Sequence, residues 1–383
     1  MNNFIKYFFL FLITWSSSVQ TAPNIDIKTG ILIDYHTDKV LYELEPDMSI
    51  YPASMTKIMT AIVAFDLLKS KKISLDDKIT ISDKAWRMSQ AGYSSMFIMV
   101  NDQITVENLL RGIIVASGND ACVALAEGIA GTEENFAVMM NEKAQEIGMT
   151  NTGFSNASGL NDPDNYSTVR DIALMSKYLI SNYPVYYEYF KETEFTWDRT
   201  GGNPITQQNR NLLLFKNIGV DGIKTGHLVV EKYSLASSIM RESRRLIAVG
   251  SGFETIAARS KQSRKLLTWG LTNSETFEIA KKNETIFKID TWLGQKKTTP
   301  GYTQKDVYYT IKKKNLRNFE VFLEYPGPIK APVRKDEKIA AIKIYNKDEL
   351  VKTIPVYAVE KVKKLNFLLS LFSSFNYMVW GDA

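Results

Sequence analysis

The sequence predicts an α+β fold. An antiparallel sheet flanked by helices carries a helical subdomain and is followed by a small β-rich domain and an amphipathic C-terminal helix. Three observations support this. Apolar residues recur at helical spacing between residues 54 and 148, whereas Ile218–Gly226, Tyr233–Met240 and Leu246–Phe253 read as consecutive antiparallel strands. From about Phe277 the texture changes to β-alternation. With 383 residues, 45% of them apolar and only 11 prolines, the chain is long enough for two domains with cores of their own.

The elements follow in order. Lys6 precedes the apolar run Tyr7–Trp15, and Ser16–Ala22 supplies a small-residue tail, which is the pattern of a secretory signal over residues 1–22. The apolar run is too short to span a bilayer, so export is expected without a spanning helix there. Ile31–Tyr35 and Val40–Tyr42 read as an opening hairpin turned at Thr37-Asp38-Lys39. Ser54 starts a helix whose Ile58, Ala61, Ile62, Phe65 and Leu68 bury one side, which lets Lys57 face a site. Val106–Val115 and Asp120–Ile129 are expected to be two helices broken at Ser117-Gly118-Asn119, and Glu133–Ile147 a third, ended at Gly148. After the three strands, joined in part by the turn Arg241–Arg244, a helix around Arg259–Leu271 closes a first domain taken as residues 23–275.

A β-rich domain, 276–358, is expected from Ile286–Asp290, Val307–Ile311, Phe319–Leu323 and Ile339–Ile344, with no catalytic constellation in it. In the tail, 359–383, Lys361, Lys363 and Lys364 precede Leu365, Leu368, Phe372, Phe375 and Val379, spaced three and four apart. Asn366, Ser370, Ser373 and Ser374 lie opposite, and Trp380 stands near the end. That pattern suits a helix lying in a membrane interface.

Composition excludes some functions. The net charge of +5 comes from scattered lysines without an arginine-rich stripe, so nucleic acid is not an expected partner. A mildly cationic surface suits an anionic wall or lipid surface. One cysteine excludes an internal disulfide, and Cys122, within Ala121–Leu125, reads as a packing residue because no histidine lies near it in sequence. His36 and His227 lack partners at ligand spacing, so neither a metal nor another cofactor is expected.

The chemistry concentrates in three short segments. Ser54-Met55-Thr56-Lys57 puts a hydroxyl and an amine one helical turn apart, and Ser117-Gly118-Asn119 and Lys224-Thr225-Gly226 follow later. A serine hydroxyl is a poor nucleophile until a nearby base takes its proton, and a lysine three residues on can serve. Each segment alone is a common accident. The ordered set, placed at a helix start, a loop between helices and a strand, is far more specific.

On these motifs, with Gln208–Asn211, Val220–His227 and Lys265–Gly270, the chain resembles the low-molecular-mass penicillin-binding proteins over nearly its whole length. These are D-alanyl-D-alanine carboxypeptidases of the bacterial cell wall. The resemblance implies a serine β-lactamase/D,D-peptidase-like catalytic domain, a peptidoglycan stem peptide as substrate and β-lactams as inhibitors. It further implies attachment to the periplasmic face of the cytoplasmic membrane through the C-terminal helix. It gives Ser54 the attack on the penultimate D-alanine carbonyl and Lys57, uncharged, the proton. Burial and the like charge of Lys224 would both lower the Lys57 pKa. Asn119 would bond the substrate amide and orient Lys57, and Ser117 would relay a proton to the leaving D-alanine. The backbone N–H groups of Ser54 and His227 would form the oxyanion hole, and Gly226 would leave room for substrate along the strand. Thr225, Arg210 and Arg259 would surround the terminal carboxylate.

D,D-endopeptidase action on crosslinks is the near alternative. A β-lactamase would need a deacylating glutamate, and none is evident between Gly148 and Asp198. The intact tetrad argues against a non-catalytic wall-associated module. One departure stands out: where the resemblance leads one to expect Ala-Gly before an aromatic residue, the chain has Leu228-Val229-Val230-Glu231-Lys232 before Tyr233.

Overall fold

The computed structural model of the chain describes residues 22–285 and 287–380, so the signal-like segment before Ala22, together with Ile286, lies outside the described residues. Two compact units divide between Thr272 and Asn273.

In the first unit, β1 (Thr29–Asp34) and β2 (Val40–Leu44) form the expected hairpin. Small hairpins β3–β4 (Lys78–Thr80, Gln103–Thr105) and β5–β6 (Glu194–Trp197, Ile205–Gln208) lie apart from it. The three later strands are β7 (Val220–Leu228), β8 (Lys232–Arg241) and β9 (Arg244–Phe253). They join the first hairpin in one antiparallel sheet of order β2-β1-β9-β8-β7, because β1 pairs with β9. That long-range pairing leaves β7 with a free side in the sheet.

The sheet is buried on both faces, which is why its strands read as nearly continuous apolar runs. Leu32, Leu235, Leu246 and Ala248 meet Leu266 and Leu267 of the helix at Ile256–Asn273. Ile31, Ile33, Ala236, Ile247 and Val249 face the helical side.

The helices there are α1 (Lys57–Lys69), α2 (Asp83–Gln90), α3 (Val106–Arg111), α4 (Asn119–Ala130), α5 (Glu133–Ile147) and α6 (Val169–Asn182). The helix at Ile256–Asn273 is α7. A 3₁₀ turn, Ala53–Thr56, leads into α1. α1 corrects the expectation of one-sided burial, since every residue from Lys57 to Phe65 is buried. It runs through the middle of the helical layer, so its polar groups need internal partners, and Thr60 Oγ1 donates to the Ala157 carbonyl at 2.6 Å. The break foreseen between the next two helices is built in two steps: a π-helical turn over Gly112–Ala116, then Ser117 in the left-handed region at φ 62°. α5 has the foreseen bounds, with Thr132 capping its start and Gly148 at φ 89° ending it. Sequence periodicity gave no expectation for α2 and α6.

The second unit holds β10 (Ser274–Ala280) paired with β13 (Val307–Lys312), and a six-stranded sheet of order β14-β16-β17-β12-β11-β15. Its strands are β11 (Phe287–Trp292), β12 (Thr298–Tyr302), β14 (Phe319–Glu324), β15 (Ile329–Lys330), β16 (Lys338–Asn346) and β17 (Glu349–Ala358). β10, β12, β15 and β17 were not foreseen. Ile289, Ile342, Ile344 and Val356 form its core. The described residues end in α8 (Phe367–Trp380), along which Leu368, Phe372, Phe375 and Met378 are exposed while Ser370, Ser373 and Ser374 are half-buried. The side chains of Val379 and Trp380, part of the tail pattern, lie outside what the structure describes. Among the described residues, no helix is long and apolar enough to cross a membrane.

Candidate active site

Ser54 sits in the 3₁₀ turn at the head of α1, half-buried and so reachable, one residue after Ala53 at φ 49°. A left-handed alanine costs about 1–3 kcal/mol unless the surroundings impose it. Here they do. Gly159 (φ 77°) packs against this turn so closely that a Cβ would lie 1.9 Å from the Ala53 carbonyl oxygen. Gly226 on β7 presses from the other side: a Cβ there would lie 2.3 Å from Ser234 Oγ and 3.0 Å from the Pro52 carbonyl oxygen. The missing side chain thus lets β7 approach β8 and the nucleophile turn.

Lys57 is 1% exposed, and its Nζ lies 3.1 Å from Ser54 Oγ, 2.7 Å from Asn119 Oδ1 and 2.6 Å from the Ser158 carbonyl oxygen. A neutral amine has two N–H donors and one lone pair. In that form Asn119 and Ser158 accept the two donors and the lone pair meets the Ser54 hydroxyl, while the protonated form donates to all three oxygens.

Burial drives the Lys57 pKa below the usual lysine range, and the nearby Arg210 charge pushes the same way. Lys224, equally inaccessible, lies well below that range, first through burial and then through the repulsion of Lys57. The repulsion between the two lysines is thus felt at Lys224, whereas the like charge acting on Lys57 is that of Arg210, where the sequence suggested Lys224. Cys122 is fully buried and its thiol is pushed up to about 12, mainly by burial, which keeps it a neutral packing group.

Ser117 and Asn119 are buried at the α3–α4 break, and Thr225 is buried on β7 beside Lys224. His227 is exposed and stacks on Tyr233 at 4.3 Å between ring centroids. Arg259, from α7, lies over the other partner of that stack, 5.7 Å from the Tyr233 centroid, and its Nη2 donates to the Arg210 carbonyl at 3.0 Å. Its pKa is lowered to about 10, mainly by burial. Arg210 itself is exposed and donates through Nη1 to Ser94 Oγ at 2.5 Å.

Two supports escaped the sequence reading. Asp120 is fully buried and accepts bonds from the backbone N–H groups of Met96 (2.8 Å), Phe97 (2.9 Å) and Ala121 (2.9 Å) and from Ser95 Oγ (2.7 Å). It pins the 94–98 loop to the start of α4. The signal was an acidic residue directly after the S-x-N triplet. The other is the Asn156–Leu160 turn, in which Asn156 Oδ1 accepts from the backbone N–H groups of Ser158, Gly159 and Leu160 and so presents the Ser158 carbonyl to Lys57. An Asn two residues before Ser-Gly was the local hint.

Residues 16–255 match the family model described as D-alanyl-D-alanine carboxypeptidase, and residues 275–364 match that of the penicillin-binding protein 5 C-terminal domain. The chain belongs to the D-alanyl-D-alanine carboxypeptidase family. It is 38% identical over 368 residues to D-alanyl-D-alanine carboxypeptidase DacC of Escherichia coli K12, an alignment covering 94% of this chain and 91% of that protein. With DacA of Haemophilus influenzae it shares 39% over 331 residues, covering 86% and 83%. Among solved structures, penicillin-binding protein 5 from Haemophilus influenzae superposes with a TM-score of 0.78 at 36% identity, over 90% of this chain and 100% of that one. Penicillin-binding protein 6B from Escherichia coli gives 0.74 at 33%, over 88% and 97%. These neighbours bear out the serine D,D-peptidase-like domain followed by a β-rich domain.

Proposed function

We propose that the chain is a serine-type D-Ala-D-Ala carboxypeptidase that removes the terminal D-alanine from peptidoglycan stem pentapeptides through an acyl-enzyme on Ser54. The observation that carries this is the arrangement around Lys57: its buried Nζ lies 3.1 Å from the reachable Ser54 hydroxyl and is held there by Asn119 Oδ1 and the Ser158 carbonyl. Lys57 takes the Ser54 proton as Oγ adds to the penultimate D-alanine carbonyl. The N–H groups of Ser54 and His227 receive the developing oxyanion, and the proton passes by way of Ser117 and Lys224 to the leaving D-alanine nitrogen. Water then cleaves the ester.

Arg210, Arg259 and Thr225 bind the terminal carboxylate, and Arg259 also donates to the Arg210 carbonyl. β-Lactams acylate the same serine and leave slowly. The carboxylates near the site support that slowness, since Asp120 is committed to the 95–98 loop and Glu133 accepts from the Ala157 backbone N–H. The chain acts outside the cytoplasmic membrane after removal of residues 1–22, and α8 lies in the membrane interface through its exposed leucines and phenylalanines. The test is direct: purified protein is incubated with a stem pentapeptide and free D-alanine is measured. Release is expected. Cleavage of crosslinked dimers without release from the pentapeptide would replace this reading with an endopeptidase.

A further inference from the structure

The turn between β7 and β8 carries the segment that departs from the expected pattern. Its tip is apolar and open, with Val229 and Val230 exposed, but the next residue turns inward: Glu231 is only 4% exposed. Its Oε2 accepts the Tyr51 backbone N–H at 3.4 Å, and its Oε1 accepts Ser251 Oγ at 3.0 Å. Lys28 Nζ completes the set at 3.4 Å from Oε1. Lys232, at φ 61°, holds the left-handed conformation that lets the chain turn back into β8 straight after it. A cleft of about 360 Å³, walled by Tyr51, Tyr166, Val230 and Glu231, opens beside these bonds.

The position gives the carboxylate its consequence. Tyr51 begins the segment that delivers Ser54, and Leu228, four residues after Lys224, begins the turn that carries Glu231. The two backbone N–H groups assigned to the oxyanion hole sit on these two separate stretches: Ser54 on one and His227 on the other. Gly226 lets the stretches approach, but an absent side chain cannot hold them together. Glu231 can. Its buried carboxylate gathers donors from Tyr51, Ser251 and Lys28 and so links the stretches, through a long bond on the Tyr51 side.

We propose that Glu231 is a positioning residue that braces the two walls of the oxyanion hole at their working separation by tying the turn after His227 to the Tyr51 backbone. It touches neither substrate nor nucleophile. Because the brace sets where donors meet charge that develops only in the transition state, its loss lowers kcat and the acylation rate and leaves KM nearly unchanged.

The experiment compares Glu231→Ala, Glu231→Gln and Lys28→Met in the full chain. It uses the second-order rate of acylation by a fluorescent penicillin and the kcat and KM for D-alanine release, all well below each variant's melting temperature. Glu231→Ala is expected to slow acylation and kcat together by roughly tenfold, a fraction of the loss for removing a whole oxyanion donor. Glu231→Gln keeps an acceptor for the Tyr51 N–H and is expected to restore both to within about threefold, since a neutral acceptor retains part of a charge-assisted bond. Lys28→Met leaves the brace in place, so both rates stay unchanged. If Glu231→Ala does not fold, Glu231→Met, which keeps the side-chain length without the carboxylate, takes its place with the same expectation; a tenfold loss in Lys28→Met would mean that the ion pair, and not the tie to Tyr51, sets the rate, and the proposal fails. It fails equally if Glu231→Ala acylates at the wild-type rate, or if Glu231→Gln is as slow as Glu231→Ala. The proposal rests on the carboxypeptidase reading, and wild-type protein inert toward both penicillin and pentapeptide would remove that reading and the brace with it. An active wild type with an unchanged Glu231→Ala removes the brace alone.

Discussion

Under the proposed mechanism Lys57 sets the pH dependence of acylation. Its pKa is depressed by burial and by Arg210, so more of it is neutral at a given pH than of an exposed lysine. Acylation by a β-lactam should rise with pH as Lys57 loses its proton. Arg210→Gln removes a neighbouring positive charge, which raises the Lys57 pKa and leaves less of it neutral at a given pH. The rising arm of the pH profile is therefore expected to move to higher pH, measured as the acylation rate between pH 5 and 10. An arm that stays in place would mean that burial alone tunes the base. Arg259 gives a second contrast. Removing a charge-assisted contact costs about 1.5–3 kcal/mol, so Arg259→Leu should lower kcat/KM on an acyl-D-alanyl-D-alanine peptide by roughly 10- to 100-fold. Penicillin acylation should fall less, because the strained ring still delivers its carbonyl to Ser54. Equal losses would assign Arg259 to holding Arg210 in place through the bond to its carbonyl. At this scale the sequence was most informative where chemistry constrains both residue type and spacing, as at Ser54 and Lys57. It was silent on the Ser158 carbonyl, because any residue can supply a backbone acceptor.

Elements bring those residues together through close approaches. Gly226→Ala would push β7 away from the Ala53–Thr56 turn, since the new methyl group meets Ser234 Oγ and the Pro52 carbonyl. Acylation is expected to fall more than roughly tenfold with the circular dichroism spectrum retained, as misplacing reacting groups by about 1 Å can cost 10²-fold. Asp120→Asn replaces an acceptor-only carboxylate with a group whose NH₂ confronts backbone N–H donors at Met96 and Phe97. A loss of about 1–3 kcal/mol is expected, read as a fall in thermal midpoint of roughly 2–4 °C per kcal/mol for a unit of this size. Helices with clear caps, such as α5, and strands with local turns, such as β8 and β9, were legible in the sequence. The pairing of β1 with β9 was not, because it joins segments some 215 residues apart and leaves no local pattern. α1 misled for a related reason: full burial erases the polar face that periodicity relies on.

The whole molecule combines a unit that carries all the proposed chemistry with a β-rich unit ending in an exposed apolar helix face. Removing residues 361–383 should release the exported protein from membranes and leave D-alanine release from a soluble peptide intact, since the tail holds no site residue. Salt alone should release the full chain only in part, because apolar burial adds to the electrostatic attraction. Truncated protein that still sediments with membranes would require another attachment. The general organisation was legible because a change from helical to alternating periodicity near residue 277 marks a change of architecture, whereas the order of strands in the second sheet was not. The central claim, a serine acyl-enzyme at Ser54 activated by Lys57, is tested most directly by intact-protein mass spectrometry after incubation with benzylpenicillin, followed by peptide mapping. A persistent adduct of the full penicillin mass on Ser54, absent in Ser54→Ala and nearly absent in Lys57→Ala, is the expected result. An adduct on another serine, or rapid turnover that leaves no adduct, would contradict it.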